Sequence, residues 1–269
     1  MPVERLVMNE AVIMAIGLGV LSVASGMLGL GVAFAAVPFL GLFLHDLVNQ
    51  VQPLSLILNG VTALFALFGF ARSGLVMWKP AILLAVATTL VAPLGGYLAQ
   101  IVSPNYLWVA YFVAVAYLAV RMFMPDKRFT SAIADTNASG LQASAWTIDK
   151  NLMLALLLAV PISIFAGMLG VGPGFLLLPT LILVGYESKH AAAMNALAVT
   201  PPSFSALLPH IATASVDLEL AALLILVGAI GSFAGARITS LYVPGRRLKQ
   251  IFGVLIVVMT AYKLYQLAF

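Results

Sequence analysis

The sequence predicts an all-α polytopic membrane protein made of two inverted repeats, each a glycine-broken helical hairpin followed by three transmembrane helices. Three observations carry that prediction. Hydrophobic residues make up 63% of the 269-residue chain and charged ones only 8%, with a mean hydropathy of +1.11; soluble domains carry about 25% charged residues. The hexapeptide Gly26-Met27-Leu28-Gly29-Leu30-Gly31 returns as Gly167-Met168-Leu169-Gly170-Val171-Gly172. Finally, the lysines and arginines gather on one side of a membrane under only one folding of the chain.

Uncharged runs extend over 11–44, 53–71, 80–120, 151–186, 191–209, 220–236 and 251–262. Most reach the ~20 residues that cross a bilayer, and several hold two helices. Being apolar on every face, they exclude the short alternating strands of a membrane barrel. The first run holds 34 residues, roughly 50 Å as one helix against a hydrocarbon core of about 30 Å. Gly26, Gly29 and Gly31 lie near its centre and Pro38 beyond them, so it is expected to form two short helices meeting at a glycine turn. Three crossings complete a first repeat over 10–124. Segment 125–149, the one long polar stretch, reads as a cytoplasmic linker. The second repeat, 150–269, follows the first: Phe175 and Pro179 answer Phe34 and Pro38 at an offset of 141, while Asn195, Gly235 and Pro244 answer Ser55, Gly95 and Pro104 at 140. One deletion reconciles the two offsets.

Charge placement selects the hairpin. If each long run crossed once, Arg5, Arg72, Lys79, Arg121, Lys127, Arg128, Lys150 and Lys263 would lie on one face and Lys189, Arg237, Arg246, Arg247 and Lys249 on the other, hardly a bias. With a hairpin, only Arg5 and Lys263 of the 13 basic residues face away from the rest, as the positive-inside rule demands. A hairpin plus three crossings has odd parity, so the second half enters upside down, with both termini outside.

Several functions are disfavoured. The net charge of +4 is scattered at segment ends with no basic patch, so no nucleic-acid partner is expected. Cysteine is absent, His45, His190 and His210 are far apart, and no metal or other cofactor motif occurs. The N-terminal run is too long for a cleavable signal. Trp78, Trp108 and Trp146 suit an aromatic belt at segment ends. No enzymatic chemistry is expected, and the runs carry no Asp, Glu, Lys, Arg or His for a proton relay.

What the runs do offer is backbone. Glycine turns that open short helices present unpaired N–H groups and a positive helix end, which suit a small anion. The candidate substrate-binding residues are therefore Gly26, Gly29 and Gly31 with Ser25, and Gly167, Gly170, Gly172 and Gly174, behind Pro173. Ser55 and Asn59 on the next helix, and Asn195, Thr200 and Ser203 on its counterpart, add neutral polar groups. The competing reading of each glycine is close helix packing, and of each polar side chain an interhelical hydrogen bond. Thr200-Pro201-Pro202-Ser203 further frees carbonyls in an apolar helix, or simply kinks it. Arg72 and Arg237 could draw anions into a vestibule or reach lipid headgroups.

The duplicated GMLG(L/V)G turns, their trailing Phe34/Pro38 and Phe175/Pro179, and the segments Gly95-Gly96-Tyr97-Leu98-Ala99 and Gly235-Ala236-Arg237-Ile238-Thr239 together resemble the sulfite exporter TauE/SafE family, over nearly the whole chain. The resemblance implies a bacterial inner-membrane transporter of sulfite, organosulfonates or related sulfur-containing anions, described with eight transmembrane segments. Here Leu54-Ser55-Leu56 and Met194-Asn195-Ala196 lack the threonine common in the family's triplets, and Val32-Ala33 stands where more glycines are usual. The expected partners are the lipid bilayer and a small anion, with a homo-oligomer possible. A passive anion channel and a membrane-embedded assembly protein remain as rival readings.

Overall fold

A computed structural model describes residues 2–103, 105–107, 109, 110, 113, 150–244, 247, 250 and 254. Among these residues every regular element is helical. The first half gives α1 (Pro2–Leu28), α2 (Ala33–Leu40), α3 (Gln52–Ala71) and α4 (Trp78–Ile101); the second gives α5 (Lys150–Leu169), α6 (Gly174–Val184), α7 (Ser188–Leu207) and α8 (Leu218–Tyr242). A π-helical turn, Leu47–Val51, leads into α3, and a 3₁₀ turn, Leu208–His210, extends α7. The linker 125–149 and most of the last crossing expected in each half lie outside the described residues.

Among the described residues six helices are long and apolar enough to cross a membrane: α1 from Glu10, α3 with its π turn, α4, α5, α7 with its 3₁₀ turn, and α8. One expectation is corrected here. The glycine-broken runs are not two short helices each: α1 and α5 are of spanning length, and only α2 and α6, of 8 and 11 residues, are short. The helix persists through Gly26 and Gly167 because a glycine pressed against a neighbouring helix is tolerated there. It stops only where the backbone turns left-handed, at Gly29 and Gly170.

Close glycine contacts fix how the helices run. Gly231 lies against the Gly19 carbonyl and Gly235 against the Val23 carbonyl and Met27 N, so α1 and α8 are parallel. In the other half Gly95 meets the Ile164 carbonyl and Met168 N, the same contact 140 and 141 residues along, and α4 and α5 are parallel. Ser232 Oγ bonds the Thr62 carbonyl and Arg237 bonds Ser73, which sets α3 parallel to α8. The equivalent pair α4 and α7 is parallel too, by Thr88 with Ala198 and Gln100 with Pro209. Between α3 and α7 the sense reverses. Asn59 meets Ser203 while Asn49 meets Ser215, so rising numbers on one pair with falling numbers on the other.

α3 and α7 are the central pair. Two thirds of the apolar window of each is buried, against 39% for the other four long helices, whose outer faces expose Ile16, Val20, Val86, Leu90, Leu157 and Leu226. Such a girdle suits hydrocarbon. The registers also sort the charges. Arg72, Lys79, Lys150, Lys189 and Arg237 lie at one end of the bundle, and Glu10, Asp46, Asp217 and Glu219 at the other. Glu187, beside His190 at the basic end, and Arg5, at the start of α1, run against this sorting.

The paired glycine contacts make a stability prediction. A Cβ on Gly95 or Gly235 would sit 2.1 or 2.0 Å from a backbone carbonyl oxygen that has no way to move aside alone. Gly95→Ala and Gly235→Ala should each cost at least the ~1–3 kcal/mol of core overpacking. Thermal unfolding in detergent checks this, with the turn glycine Gly74, where a Cβ meets nothing but φ is +68°, as a control for backbone strain alone.

Candidate functional site at the paired helix breaks

Each break is a helix ending stopped by left-handed glycines. In the first, the Leu30 N–H reaches back to the Ser25 carbonyl and the Gly29 N–H to the Gly26 carbonyl; in the second, Val171 reaches Ala166 and Gly170 reaches Gly167. This is the paired C-cap that needs φ > 0, and Gly29, Gly31, Gly170 and Gly172 have φ of +62°, +69°, +69° and +68°. Four residues later in each copy a short helix begins.

The breaks meet along the α3–α7 pair. Asn59, fully buried on α3, accepts the Ala33 N–H at 2.9 Å through Oδ1 and donates through Nδ2 to Ser203 Oγ at 2.9 Å. A Cβ on Gly31 would fall 2.2 Å from Asn59 Oδ1, and one on Gly172 2.1 Å from Asn59 Nδ2, so this one amide lies against both breaks. Asn195 on α7 joins them from the other side: its Nδ2 donates to the Gly29 carbonyl at 2.8 Å and the Gly174 carbonyl at 3.3 Å. Gly174 in turn lies against the Leu30 carbonyl. Two asparagines thus tie two irregular stretches of backbone together inside the bundle.

The breaks differ in how their amides are used. In the first, Thr62 Oγ1 accepts the Val32 N–H and Asn59 the Ala33 N–H, so side chains cap the start of α2. The residues 140 positions on from Asn59 and Thr62 are Val199 and Pro202, which cannot cap. Pro173 removes one donor, and among the described residues the N–H groups of Gly172, Gly174 and Phe175 have no acceptor. Nearby polar atoms are also buried without partners: Asn195 Oδ1, Ser55 Oγ and Gln52 Oε1. Unpaired buried groups cost roughly 1–3 kcal/mol each, which marks this as a place of specialised use.

The other sequence-predicted residues lie off this junction, apart from the Gly29 carbonyl that Asn195 binds. Gly26 packs against Ser232 of α8, and Gly167 against Ala92 of α4. Ser25 Oγ and Thr200 Oγ1 turn back to carbonyls of their own helices, Leu21 and Ala196. Gly29 is pressed on the Ala192 carbonyl and Gly170 on the Gln52 side chain, so both face protein. Pro201 and Pro202 lie within a continuous α7, and Thr88 Oγ1 stands 3.1 Å from the Ala198 carbonyl that Pro202 frees. Arg72 stacks over Phe233, and Arg237 bonds Ser73, at the basic end.

Sequence reasoning missed Gln52, Thr62 and Thr88. Thr62 and Thr88 were legible as lone hydroxyls in apolar runs. Gln52 lies just before Pro53, at a run's edge, yet it is fully buried and donates to the Met168 carbonyl. An apolar cleft of about 360 Å³ opens at the acidic end, between Pro53, Ile57, Leu207, Ile211, Leu218 and Ile225.

Comparison with known proteins bears on what this junction is for. The family model described as "Sulfite exporter TauE/SafE" matches residues 13–263. The chain belongs to the sulfite exporter TauE/SafE family. A protein of Xylella fastidiosa (strain 9a5c) described as "Probable membrane transporter protein" is 24% identical over 262 residues, covering 96% of each chain. No solved structure matches. With six span-length apolar helices, this member of the TauE/SafE family is a multi-pass membrane transporter of the bacterial inner membrane.

The junction predicts its own fragility. Asn59→Leu keeps the volume but leaves the Ala33 N–H without an acceptor, a loss of about 1–3 kcal/mol. Ser203→Ala removes the acceptor for Asn59 Nδ2 and the hydroxyl bond to the Val199 carbonyl, and should cost less, near 1 kcal/mol, because Asn59 keeps its bond to Ala33. Denaturation midpoints of the purified variants rank them.

Proposed function

We propose that this transporter carries a small anion, of the sulfite or organosulfonate class, through a site formed where the two glycine breaks meet. One observation carries the reading: two helix breaks from separate halves converge in the bundle interior, and the second presents the N–H groups of Gly172, Gly174 and Phe175 unpaired at the start of α6. Backbone donors at a positive helix end neutralise an anion only partially, which favours release as well as capture. Asn59, Asn195, Ser203 and Ser55 supply the neutral polar surround. Gly29, Gly31 and Gly170 set the backbone, and Ser25, Gly26, Gly167 and Thr200 hold the breaks at one remove. Sulfur chemistry comes from the family; the geometry speaks for charge sign and size.

Two inverted repeats, 10–124 and 150–269 joined by a cytoplasmic linker 125–149, are the architecture that accounts for the helix registers. The antiparallel relation of α3 to its repeat counterpart α7, with α1, α3 and α8 running one way and α4, α5 and α7 the other, supports an exchange axis in the membrane plane. The basic end, carrying Arg72, Lys79, Lys150, Lys189 and Arg237, would then be cytoplasmic by the positive-inside rule. Transport follows as rocking of the flanking helices about the central pair, exposing the junction to one end and then the other. No step in this cycle needs an enzyme's bond chemistry or a cofactor. A membrane-embedded assembly role would need a partner subunit; a second copy of the chain is the partner this bundle accommodates most simply.

Reconstitution tests the reading. Proteoliposomes should accumulate sulfite, thiosulfate or a small sulfonate with saturation and counterflow, and should reject cations and neutral sugars. Gly172→Ala forces a left-handed alanine at about 1–2 kcal/mol and should weaken anion binding roughly tenfold per folded molecule. Equal uptake of cations, or anion binding unchanged in Gly172→Ala, would defeat the proposal. Tags on the N-terminus and in the linker should report opposite faces of the membrane.

A further inference from the structure

The second break leaves oxygen atoms, as well as N–H groups, without partners. α5 ends there, and the carbonyls of its last turn carry the negative end of the helix dipole. The Ala166 and Gly167 carbonyls accept the Val171 and Gly170 N–H groups, and the Met168 carbonyl accepts Gln52 Nε2 at 3.3 Å. Among the described residues no donor reaches the Leu169 or Gly170 carbonyl. Facing them is one stripe of α3, on which Gln52, Ser55 and Asn59 stand at i, i+3 and i+7. A Cβ on Gly170 would fall 2.5 Å from Gln52 Cγ and one on Gly172 2.1 Å from Asn59 Nδ2, so the stripe runs along the break with Ser55 between the two. All three side chains are fully buried, and Gln52 Oε1 and Ser55 Oγ have no hydrogen-bond partner.

The repeat shows what these oxygens lack. At the first break the Gly29 carbonyl receives Asn195 Nδ2 at 2.8 Å. In the second, Gly170 takes the place of Gly29 and Ser55 that of Asn195. Serine has no amide to lay on the carbonyl, so the bond that closes the first break is missing from the second. Gln52 departs in the same direction: α7 has Ala192 in its place, and the amide oxygen it adds has no counterpart at the first break. Asn195 Oδ1 is also without a partner, but Ala192 sets no second oxygen beside it.

Two side-chain oxygens and two helix-end carbonyls, all neutral and all without donors, are the ligand set of a singly charged cation. Calcium and magnesium sites draw on carboxylates, and α3, α5 and α6 contain no Asp or Glu. Unwound carbonyls and the C-terminal ends of interrupted helices are what hold sodium inside transporters. We propose that the second break binds a monovalent cation, sodium, among Gln52 Oε1, Ser55 Oγ and the Leu169 and Gly170 carbonyls. Ser55 turns its lone pairs to the ion and its proton back onto α3, as Ser203 turns its own onto the Val199 carbonyl. The unpaired N–H groups of Gly172, Gly174 and Phe175 begin two residues further along. Cation and anion therefore sit side by side, each strengthens the binding of the other, and a monoanion crosses with its sodium as a neutral load. The coupling rests on the transport reading above, whereas the cation site is measured with no transported anion present.

Full-length protein purified in detergent and choline gluconate is titrated with radiolabelled sodium, counted per folded molecule. The parent should bind the ion saturably, and sodium should raise its unfolding temperature above that in choline. Gln52→Met keeps the volume and removes the amide oxygen. Ser55→Asn rebuilds the first break's bond by laying an amide on the Gly170 carbonyl. Each should weaken sodium binding about tenfold or more. Ser55→Asn should also raise the unfolding temperature in choline while losing the further rise with sodium, a pair of changes that a packing role for Ser55 does not produce. Should neither variant fold, Ser55→Ala, which removes only the hydroxyl, decides. A folded parent without saturable sodium binding, the result if these oxygens hold only water, overturns the proposal, and so does undiminished binding in a folded variant. Sodium binding that depends on Gln52 and Ser55 in a protein that binds no sulfite would uphold the cation site and defeat the anion reading instead.

Discussion

Backbone polarity in a medium without water is the constraint on which the rest of this structure depends. Every N–H and C=O at membrane depth needs a partner from the protein, and two helix breaks expose many at once. Asn59 and Asn195 answer that need by bonding the Ala33 N–H, the Gly29 carbonyl and the Gly174 carbonyl. Because those groups belong to both halves, satisfying them also docks the halves against each other. The central burial of α3 and α7 follows, since they carry the two asparagines. The flanking helices then close in through glycines that admit a neighbouring carbonyl, Gly95 on Ile164 and Gly235 on Val23.

Duplication gives near-symmetry, and function is proposed to lie in the departures from it. Asn59 and Thr62 cap the start of α2, whereas Val199 and Pro202 in the equivalent places leave the start of α6 uncapped. The first break thus has its short helix capped by side chains, and the second does not. The ends of the central pair differ as well: His190 lies against the Leu75 carbonyl, whereas His210 is buried with both ring nitrogens unpartnered. A protein that must open at alternate ends needs its two ends to be near in energy without being identical.

Much of the fold was legible because membrane sequences are read from length and charge. The runs gave the span-length helices, and the repeated hexapeptide located both breaks to within a residue. The length of α1 was misjudged because Gly26 and Gly29 look alike in sequence. Both are pressed on a neighbouring helix, Gly26 on Ser232 and Gly29 on Ala192, but φ at Gly29 is set by the C-cap it closes. At the junction, Asn59, Asn195, Ser203, Gly31, Gly172 and Gly174 were among the residues singled out, and the structure brings them together. Their neighbours Gln52 and Thr62 were not, since burial of a polar residue at a run's edge depends on a helix from the other half.

The central claim is that an anion is held by the backbone of the second break between the two halves. Anomalous scattering from a crystal grown with selenite, an electron-rich stand-in for sulfite, tests it most directly. The account predicts a peak within hydrogen-bond reach of the Gly172, Gly174 and Phe175 N–H groups, weakened in Gly172→Ala. A peak confined to Arg72 and Arg237 at the basic end, with none at the break, would contradict it.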